Sequence, residues 1–243
     1  MHLFVVFVLG IFFNGSSAAS LPKYIKLCSR SDSEFDKCAL RSGKEAIKHL
    51  IDGEKSLKIL PLSPLKLPFV QLENTENFQL NMTDVEVLGL DRAELVDVHV
   101  DLDKHEVKIV VHLEEIELKG QFHAEGRVLI LPIKGDGPGT VKAYAGDYMF
   151  SFRYNLVNKG GVEYAKIDKN DFSFNVKKVE FAVEQVFGEN TTLGAETNKF
   201  LNENWIEVIR DFEQVIGQTI GSICNQIASG IFENVPYNQI TLP

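Results

Sequence analysis

WIEVIRDFEQVIGQTIGSICNQIASGIF, residues 205–232, is the stretch of sequence that decides the fold. No charged residue occurs between Gln214 and Phe232, and the apolar side chains recur at the i, i+3, i+4 spacing of one helix face. We therefore predict one amphipathic helix, which at 1.5 Å per residue would be roughly 42 Å long. A second stripe, of small residues that let another backbone segment come close, consists of Gly217, Gly221, Cys224 and Ala228.

A membrane-spanning helix is the first alternative, because 19 uncharged residues approach the roughly 20 that a span requires. Polar side chains are spread through the segment, however, and indicate one solvent-facing side. They are Gln214, Gln218, Ser222, Asn225, Gln226 and Ser229. A helical bundle is not favoured, because no second helical pattern of matching length occurs. The remaining interpretation is a helix wrapped by a curved sheet.

Residues 78–186 change to the two-residue period of β-strands. One apolar face comprises Val96, Val98, Val100 and Leu102, the opposite face comprises Asp97, His99, Asp101 and Asp103, and after a turn at Lys104–His105 a second apolar face comprises Val107, Ile109, Val111 and Leu113. This pattern predicts an antiparallel hairpin. We interpret its acidic side as a solvated face, because the glycine and the distal glutamate of a calcium loop are missing.

The apolar parity inverts at Glu114–Glu115, which indicates a β-bulge that bends the strand, and inverts again at Lys177–Lys178. Two glycine-rich segments, residues 135–139 and 158–161, predict turns. The middle of the chain is therefore expected to be a long-stranded, strongly curved antiparallel sheet.

Flanking segments complete the predicted organisation. Phe35–Leu50 has helical spacing, and Gly53 can end that helix. Prolines at positions 61, 64 and 68 make residues 56–72 an extended apolar edge or crossover segment. Residues 188–194 are expected to form a loop before the long helix.

Residues 1–19 combine an apolar run with small residues, as in a signal peptide that is cleaved near Ala19. Cleavage there would leave residues 20–243 as one domain. In a secreted chain, the sequons at Asn81 and Asn190 would be available for glycosylation.

The three cysteines fit the same compartment. Cys28 and Cys38 lie close in sequence, which suits a small disulfide loop in an oxidising environment. Cys224 lies in the apolar helix and is expected to be a buried free thiol. No C-x₂-C arrangement occurs, so the cysteines do not indicate a metal site.

Charge and motifs exclude several classes of function. The net charge of −9 argues against a nucleic-acid partner and against steady binding to anionic membranes. Residues 217–221, GQTIG, imitate a hydrolase nucleophile motif, but they lie inside the predicted helix rather than at a strand-to-helix turn. The sequence therefore predicts no catalytic residue, no metal ligand and no cofactor.

An aromatic run lies on one face of a predicted strand: Tyr148, Phe150, Phe152 and Tyr154. Such a face can fill a core, or it can line a cavity in which tyrosine hydroxyls orient an apolar ligand. The residues alone leave both interpretations open, because both demand the same apolar face.

Four landmarks in chain order resemble the takeout/juvenile hormone-binding protein family of insects. They are LPLSPLKLPFVQL (60–72), VEVLGLDRAELVDVHVDLDKHEVKI (85–109), NENWIEVIRDFEQVIG (202–217) and IFENVPYNQITLP (231–243), together with the N-terminal Cys28 and Cys38. Serine replaces the family's more usual aspartate before Pro64, and a single N-terminal disulfide resembles the takeout branch. The resemblance implies an α+β fold of the tubular lipid-binding (TULIP-like) kind. In this fold a highly curved antiparallel sheet wraps around a long C-terminal helix and encloses a hydrophobic tunnel.

The resemblance favours the tunnel over a filled core, and we therefore select candidates for its lining from the apolar faces of the strands and of the long helix. The candidates are Val98, Val111, Phe152, Tyr154, Trp205, Phe212, Ile216 and Ile220.

The function that follows is a secreted, non-enzymatic carrier in haemolymph or in sensory or fat-body secretions. Its ligand would be a juvenile-hormone-like terpenoid, a fatty acid or a related lipid. We expect a monomer, with a cell-surface receptor as a candidate partner and no stable membrane insertion. Family members have roles that include circadian output. The alternative is a ligand-free interaction module, such as an immune surface-recognition factor, on the same fold.

Overall fold

The computed structural model describes residues 19–74, 78–184 and 191–243. Within these ranges the helices are α1 (Phe35–Leu50), α2 (Thr191–Glu203) and α3 (Trp205–Phe232). The strands are β1 (Leu65–Asn74), β2 (Phe78–Leu88), β3 (Glu94–Asp101), β4 (Glu106–Val128), β5 (Leu131–Lys159), β6 (Val162–Asn175) and β7 (Lys178–Val183). The predicted signal peptide, up to residue 18, and the sequon at Asn190 lie outside the described residues.

All seven strands belong to one antiparallel sheet whose spine is the long pair β4 and β5. The first half of β4 pairs with β3 and its second half pairs with β2, while β1 lies beyond β2. The first half of β5 pairs with β7 and its second half pairs with β6. The sheet thus consists of two differently oriented halves that share one spine, and the predicted fold of a long helix against a highly curved sheet is confirmed.

The spine inverts its faces at the predicted place. Leu113 is buried on one side of the inversion and Phe122 is buried on the other, with the parity changed between them. Opposite, Ala145 adopts a positive φ of 47°. The register between β4 and β5 is continuous on both sides of Glu114, so no residue is inserted into either strand. Both strands therefore exchange their inward and outward faces at the same place. The predicted inversion is confirmed, whereas the predicted β-bulge is wrong, because the register between β4 and β5 does not shift. We call this inversion across two strands the crease.

Residues 135–139, GDGPG, do not form the predicted turn, because they lie within the first third of β5. The glycines at positions 135, 137 and 139 alternate with exposed residues and face the interior. A Cβ atom on Gly139 would lie 3.0 Å from the Phe122 ring, so the missing side chain of Gly139 makes room for this aromatic residue. Pro138 has no N–H to donate, and its carbonyl accepts a hydrogen bond from the Glu184 backbone N–H just beyond the end of β7.

Val96 does not share the apolar face that its spacing predicts. The register with β4 shifts between Leu95 and Asp97, so Leu95 is buried whereas Val96 is 50% exposed. The second predicted inversion, at Lys177–Lys178, corresponds to the end of one strand and the start of the next, because β6 ends at Asn175 and β7 begins at Lys178.

Helix α2 replaces part of the predicted loop, because Thr191 to Gly194 are already helical. Its asparagines bind the free edge of β7. The Asn198 side chain bonds both the N–H and the carbonyl of Val183, and the Asn202 side chain bonds both groups of Phe181. Such amide-to-backbone bonds satisfy an edge strand without adding another strand.

Helix α1 covers another sheet edge, and its bounds match the predicted ones. The Asp36 carboxylate accepts a hydrogen bond from the Val100 backbone N–H at 2.9 Å and shares a second with the His99 ring at 2.7 Å. The predicted disulfide between Cys28 and Cys38 is present and ties this helix to the preceding segment. His99 therefore docks a helix, and among the described residues no group of three or more His, Cys, Asp or Glu could hold a metal ion.

Helix α3 has the predicted bounds, and its stripe of small residues packs against β6. A Cβ on Gly217 would lie 3.0 Å from the Phe172 carbonyl oxygen, and one on Gly221 would lie 3.2 Å from the Asn170 side chain. On the predicted polar side, Gln214, Gln218, Ser222 and Gln226 are exposed.

Asn225 departs from that polar side. Its Oδ1 atom is buried and has no hydrogen-bond partner among the described residues. Within the same part of the chain, no helix is long and apolar enough to cross a membrane.

A pair of glycine variants tests the close packing of α3. A Cβ on Gly230 would overlap the carbonyl oxygen of Leu57, whereas one on Gly194, in α2, would meet nothing within 4 Å. We expect Gly230→Ala to lower the free energy of unfolding by about 1–3 kcal/mol. Gly194→Ala should raise it by about 0.5–1 kcal/mol, because alanine is the better helix former. Urea denaturation measures both, and equal effects of the two variants would contradict the close approach.

Candidate functional site

The inward face of α3 carries a row of isoleucines that are only partly buried: Ile216, Ile220, Ile223, Ile227 and Ile231. Partly buried apolar side chains on an inward face border space that neighbouring side chains do not fill completely. Ile220 lies in the middle of the row and is in none of the three close-packed clusters of the core. The central turns of α3 therefore present an apolar surface that neighbouring side chains cover only in part.

An aromatic cluster lies at the end of the interior that the second half of β5 forms. We define it by its buried members, Val107, Phe150, Phe152, Tyr154, Ala165, Ile167 and Tyr237. Phe152 packs edge-on against Phe232 of α3, with ring centroids 5.1 Å apart. The Phe150 ring lies 5.6 Å from the Phe152 ring. This end of the interior is filled.

Two tyrosine hydroxyls on the same face of β5 have opposite environments. Tyr154 Oη lies 3.0 Å from Tyr237 Oη, so each satisfies the other. Tyr148 Oη is buried and finds no partner among the described residues. Its ring lies over Gly146, where a Cβ would be 2.6 Å away, and stacks beside Phe174. A buried hydroxyl without a partner is destabilising unless a ligand or water completes it.

The tyrosine pKa values reflect these environments. Burial raises the pKa of Tyr148 to about 12. Burial also raises the pKa of Tyr154, with a further contribution from the Tyr237 hydroxyl. Both phenols are therefore neutral at physiological pH and can donate a hydrogen bond.

The structure separates the eight lining candidates into groups. Phe152 and Tyr154 belong to the aromatic cluster. Phe212 is buried in a second core cluster, against which Ile216 packs. Ile220 and Trp205 are partly buried and lie in none of the clusters.

The two remaining candidates lie on the sheet. Val98 is buried and pairs with Ile109 across β3 and β4. Val111 is partly buried and has Leu95 on one side and Tyr148 on the other. Val111 and Ile220 are thus only partly covered, whereas Phe152 and Phe212 are buried in the core clusters.

A groove of about 680 Å³ lies between β1 and α3. Its apolar lining includes Leu62, Leu65, Leu67, Ile223 and Ile227. Leu65 is also a buried member of the core, so a core side chain forms part of the groove wall. None of the eight candidates lines this groove. The prolines around β1 predicted an edge segment, and nothing in its sequence indicated a binding site.

Two features of α3, Cys224 and the GQTIG segment, could be taken for parts of a catalytic site. Cys224 is a free cysteine that packs against the aromatic cluster, and burial raises the pKa of its thiol to about 11. A thiol that stays protonated is a poor nucleophile. The GQTIG segment, 217–221, lies within α3 with Gly217 and Gly221 buried, and so lacks the strand-to-helix turn of a hydrolase site.

A family model described as Haemolymph juvenile hormone binding protein (JHBP) matches residues 3–242. The chain belongs to this family. The predicted resemblance is therefore confirmed over nearly the whole length of the chain.

Two relatives share about a fifth of their residues with this chain. This JHBP-family chain is 21% identical to the "Circadian clock-controlled protein daywake" of Drosophila melanogaster over 234 residues, which span 92% of this chain and 89% of the relative. It is 21% identical to the "Putative beta-carotene-binding protein" of Schistocerca gregaria over 220 residues, 89% of this chain and 87% of the relative.

The crystal structure of Epiphyas postvittana Takeout 1 matches the fold of the JHBP-family chain with a TM-score of 0.73. The match covers 90% of this chain and 100% of that chain at 24% identity. At this identity the likeness establishes the architecture, and the ligand has to be argued from the residues of this chain.

A pair of tyrosine variants tests the different environments of the two hydroxyls. In delipidated protein, Tyr148→Phe should leave the free energy of unfolding unchanged or slightly higher, because it removes a buried group without a partner. Tyr154→Phe should lower it by about 1 kcal/mol, because it leaves Tyr237 without its hydrogen bond. Equal losses in urea denaturation would show that Tyr148 has a protein partner.

The pH dependence of stability gives an independent test. The pKa of Tyr148 is raised from 10.0 to about 12 in the folded protein, so the folded state favours the protonated phenol. This contribution is complete below pH 10 and is lost as the pH rises through about 12. Between these values, the wild-type free energy of unfolding should fall more steeply than that of Tyr148→Phe. Parallel curves would contradict the burial of the phenol.

Proposed function

We propose that this protein is a secreted carrier that holds a small hydrophobic ligand in its interior, between α3 and the curved sheet. The observation that supports the proposal is the partly covered isoleucine face of α3. The Tyr148 hydroxyl on β5, for which the described residues offer no partner, and the groove beside β1 add to it. An apolar space with one convergent polar group is typical of binding sites for lipids.

The ligand that suits this interior is long, apolar and sparsely polar. Each buried methylene contributes about 0.8 kcal/mol, whereas one neutral hydrogen bond contributes about 1 kcal/mol. Length and shape would therefore dominate affinity, and Tyr148 would fix orientation by donating to an oxygen of the ligand. A juvenile-hormone-like terpenoid, a fatty acid or a related lipid fits this description.

The eight predicted residues enter the proposal with different roles. Val111, Ile216, Ile220 and Trp205 would contact the ligand, while Val98, Phe152, Tyr154 and Phe212 would hold the walls. Tyr148, which was not among the candidates, would supply the hydrogen bond.

Secretion is part of the proposal and rests on the sequence of residues 1–19, with cleavage near Ala19. The Cys28–Cys38 disulfide is consistent with an oxidising compartment. Of the two sequons, Asn81 lies on β2 with its Oδ1 buried, so a glycan there would require this side chain to turn outward. We place the protein in haemolymph or in sensory or fat-body secretions, acting as a monomer with a candidate cell-surface receptor.

Names of relatives support the proposal in general terms. One relative is called a putative β-carotene-binding protein, which is a name for a carrier of an apolar molecule. Another is called a circadian clock-controlled protein, so we propose clock-linked expression as the physiological context.

Filling the proposed space tests the carrier function. We expect Ile220→Trp to abolish displacement of the neutral dye N-phenyl-1-naphthylamine by juvenile hormone III or palmitate, while the free energy of unfolding stays within about 1 kcal/mol of wild type. A tryptophan that enters empty space replaces ligand and does not strain its neighbours. The matched control is Ile206→Trp, at a position of α3 that is 48% exposed, which should bind as wild type does.

A solid interior would give the opposite result. Ile220→Trp would then destabilise the protein by about 1–3 kcal/mol through overpacking, and native mass spectrometry of the wild type from insect cells would show no co-purified lipid. That outcome would favour the alternative, a ligand-free recognition module on the same fold.

A further inference from the structure

Helix α3 meets the sheet tightly on one side and loosely on the other. Against β6, the glycines at 217 and 221 bring the helix backbone to the strand. Toward β1, larger side chains face each other across the groove of about 680 Å³, a size within the range of roughly 300–1,000 Å³ usual for ligand pockets. The seam between α3 and β1 is therefore the open side of the wrapped sheet, and we call this space the seam groove.

The rim of the seam groove is unusually apolar for a surface that water can reach. Leu60 is 57% exposed and Phe69 is 53% exposed, and both line the groove. Large apolar side chains exposed together commonly mark a place where another apolar molecule binds.

Charge on the seam groove has the opposite sign to that of the chain. The whole sequence carries a net charge of −9, yet the charged side chains in the described lining are Lys58 and Lys66, with no carboxylate among them. Thr219, Ser222 and Gln226 of α3 add hydrogen-bonding groups to the same lining. An apolar groove with a cationic border is complementary to an amphiphile with an anionic head.

The two lysines differ in how far their charge is compensated. Lys58 Nζ donates to the neutral amide oxygen of Asn234 at 3.1 Å, so its positive charge is not offset by that contact. Lys66 Nζ forms an exposed ion pair with Glu86 at 2.9 Å, which solvent screens strongly. Lys58 is therefore the better partner for an incoming anion, and Lys66 is the second.

We propose that the seam groove binds the carboxylate end of a long-chain fatty acid, with Lys58 as the principal counter-ion and Lys66 as the second. The hydrocarbon chain lies along Leu65, Leu67 and Ile223 and enters the interior. This inference rests on the proposed carrier function and adds to it the charge of the ligand and the place of its head. Strand β5, which carries Tyr148, contributes nothing to the groove lining, so the groove recognises a different part of the ligand from Tyr148.

The test compares palmitate with hexadecanol, which have the same chain and differ in the charge of the head. Both are titrated against N-phenyl-1-naphthylamine bound to wild type, Lys58→Gln, Lys66→Gln and the double variant. The matched control is Lys199→Gln, which removes the same charge from an exposed position on α2. Palmitate should bind the double variant about threefold to tenfold more weakly, with the larger share from Lys58, whereas hexadecanol should bind all variants alike.

Ionic strength provides a second signature. Added salt should weaken palmitate binding to the wild type and to Lys199→Gln, and should have little effect on the double variant or on hexadecanol.

Each other outcome overturns a definite statement. If the wild type binds neither probe, the carrier function fails. If the wild type binds both probes and the double variant has the same ratio of palmitate to hexadecanol affinity as the wild type, the carrier function stands and the assignment of the carboxylate position is wrong. Equal loss of both probes in the double variant would show that the lysines support the fold. Loss of binding to vesicles of phosphatidylcholine and phosphatidylserine, with palmitate binding unchanged, would assign the lysines to membrane docking instead.

Discussion

The close approach of α3 to β6 is the contact on which the rest of the structure depends. Gly217 and Gly221 leave no side chain between the helix and the carbonyl side of Phe172, so the helix is held at one fixed distance from one edge of the sheet. Because this contact fixes α3 against β6, the curvature of the sheet determines the distance between α3 and the strands on its other side. The inversion of the spine at Glu114 and Ala145 supplies this curvature, and together the two features create an interior beside α3.

Much of this arrangement could be predicted from the sequence because it follows from periodicity. The 3.6-residue period of α3 and the parity change at Glu114 identify the helix and the crease without knowledge of partners. The failures share a physical cause, which is that a local signal was overridden by a neighbour in space. GDGPG has turn composition, yet it lies within β5, where Gly139 accommodates Phe122 of the adjacent strand. Val96 has strand parity, yet a register shift against β4 turns it outward.

The site was harder to predict than the fold, because a filled core and a lined cavity require the same residue types. Phe152 and Tyr154 satisfy the pattern of a lining, and in the structure they close one end of the interior. Tyr148, six residues before Tyr154 on the same face of β5, has no hydrogen-bond partner among the described residues, whereas Tyr154 has Tyr237. No sequence pattern records that absence, and the same holds for the seam groove, which arises between segments about 150 residues apart in the chain.

Side chains that cover the sheet edges protect such a protein from aggregation in solution at high concentration. Strand edges with unpaired backbone groups are the usual starting point of aggregation. In the described part of the chain, Asn198 and Asn202 occupy the edge of β7, and Asp36 occupies that of β3. Beside the seam groove, the interruption is Pro68 within β1, which has no N–H to offer to another strand. The opening through which a ligand would pass is thereby kept from serving as a template for a second molecule of the same protein.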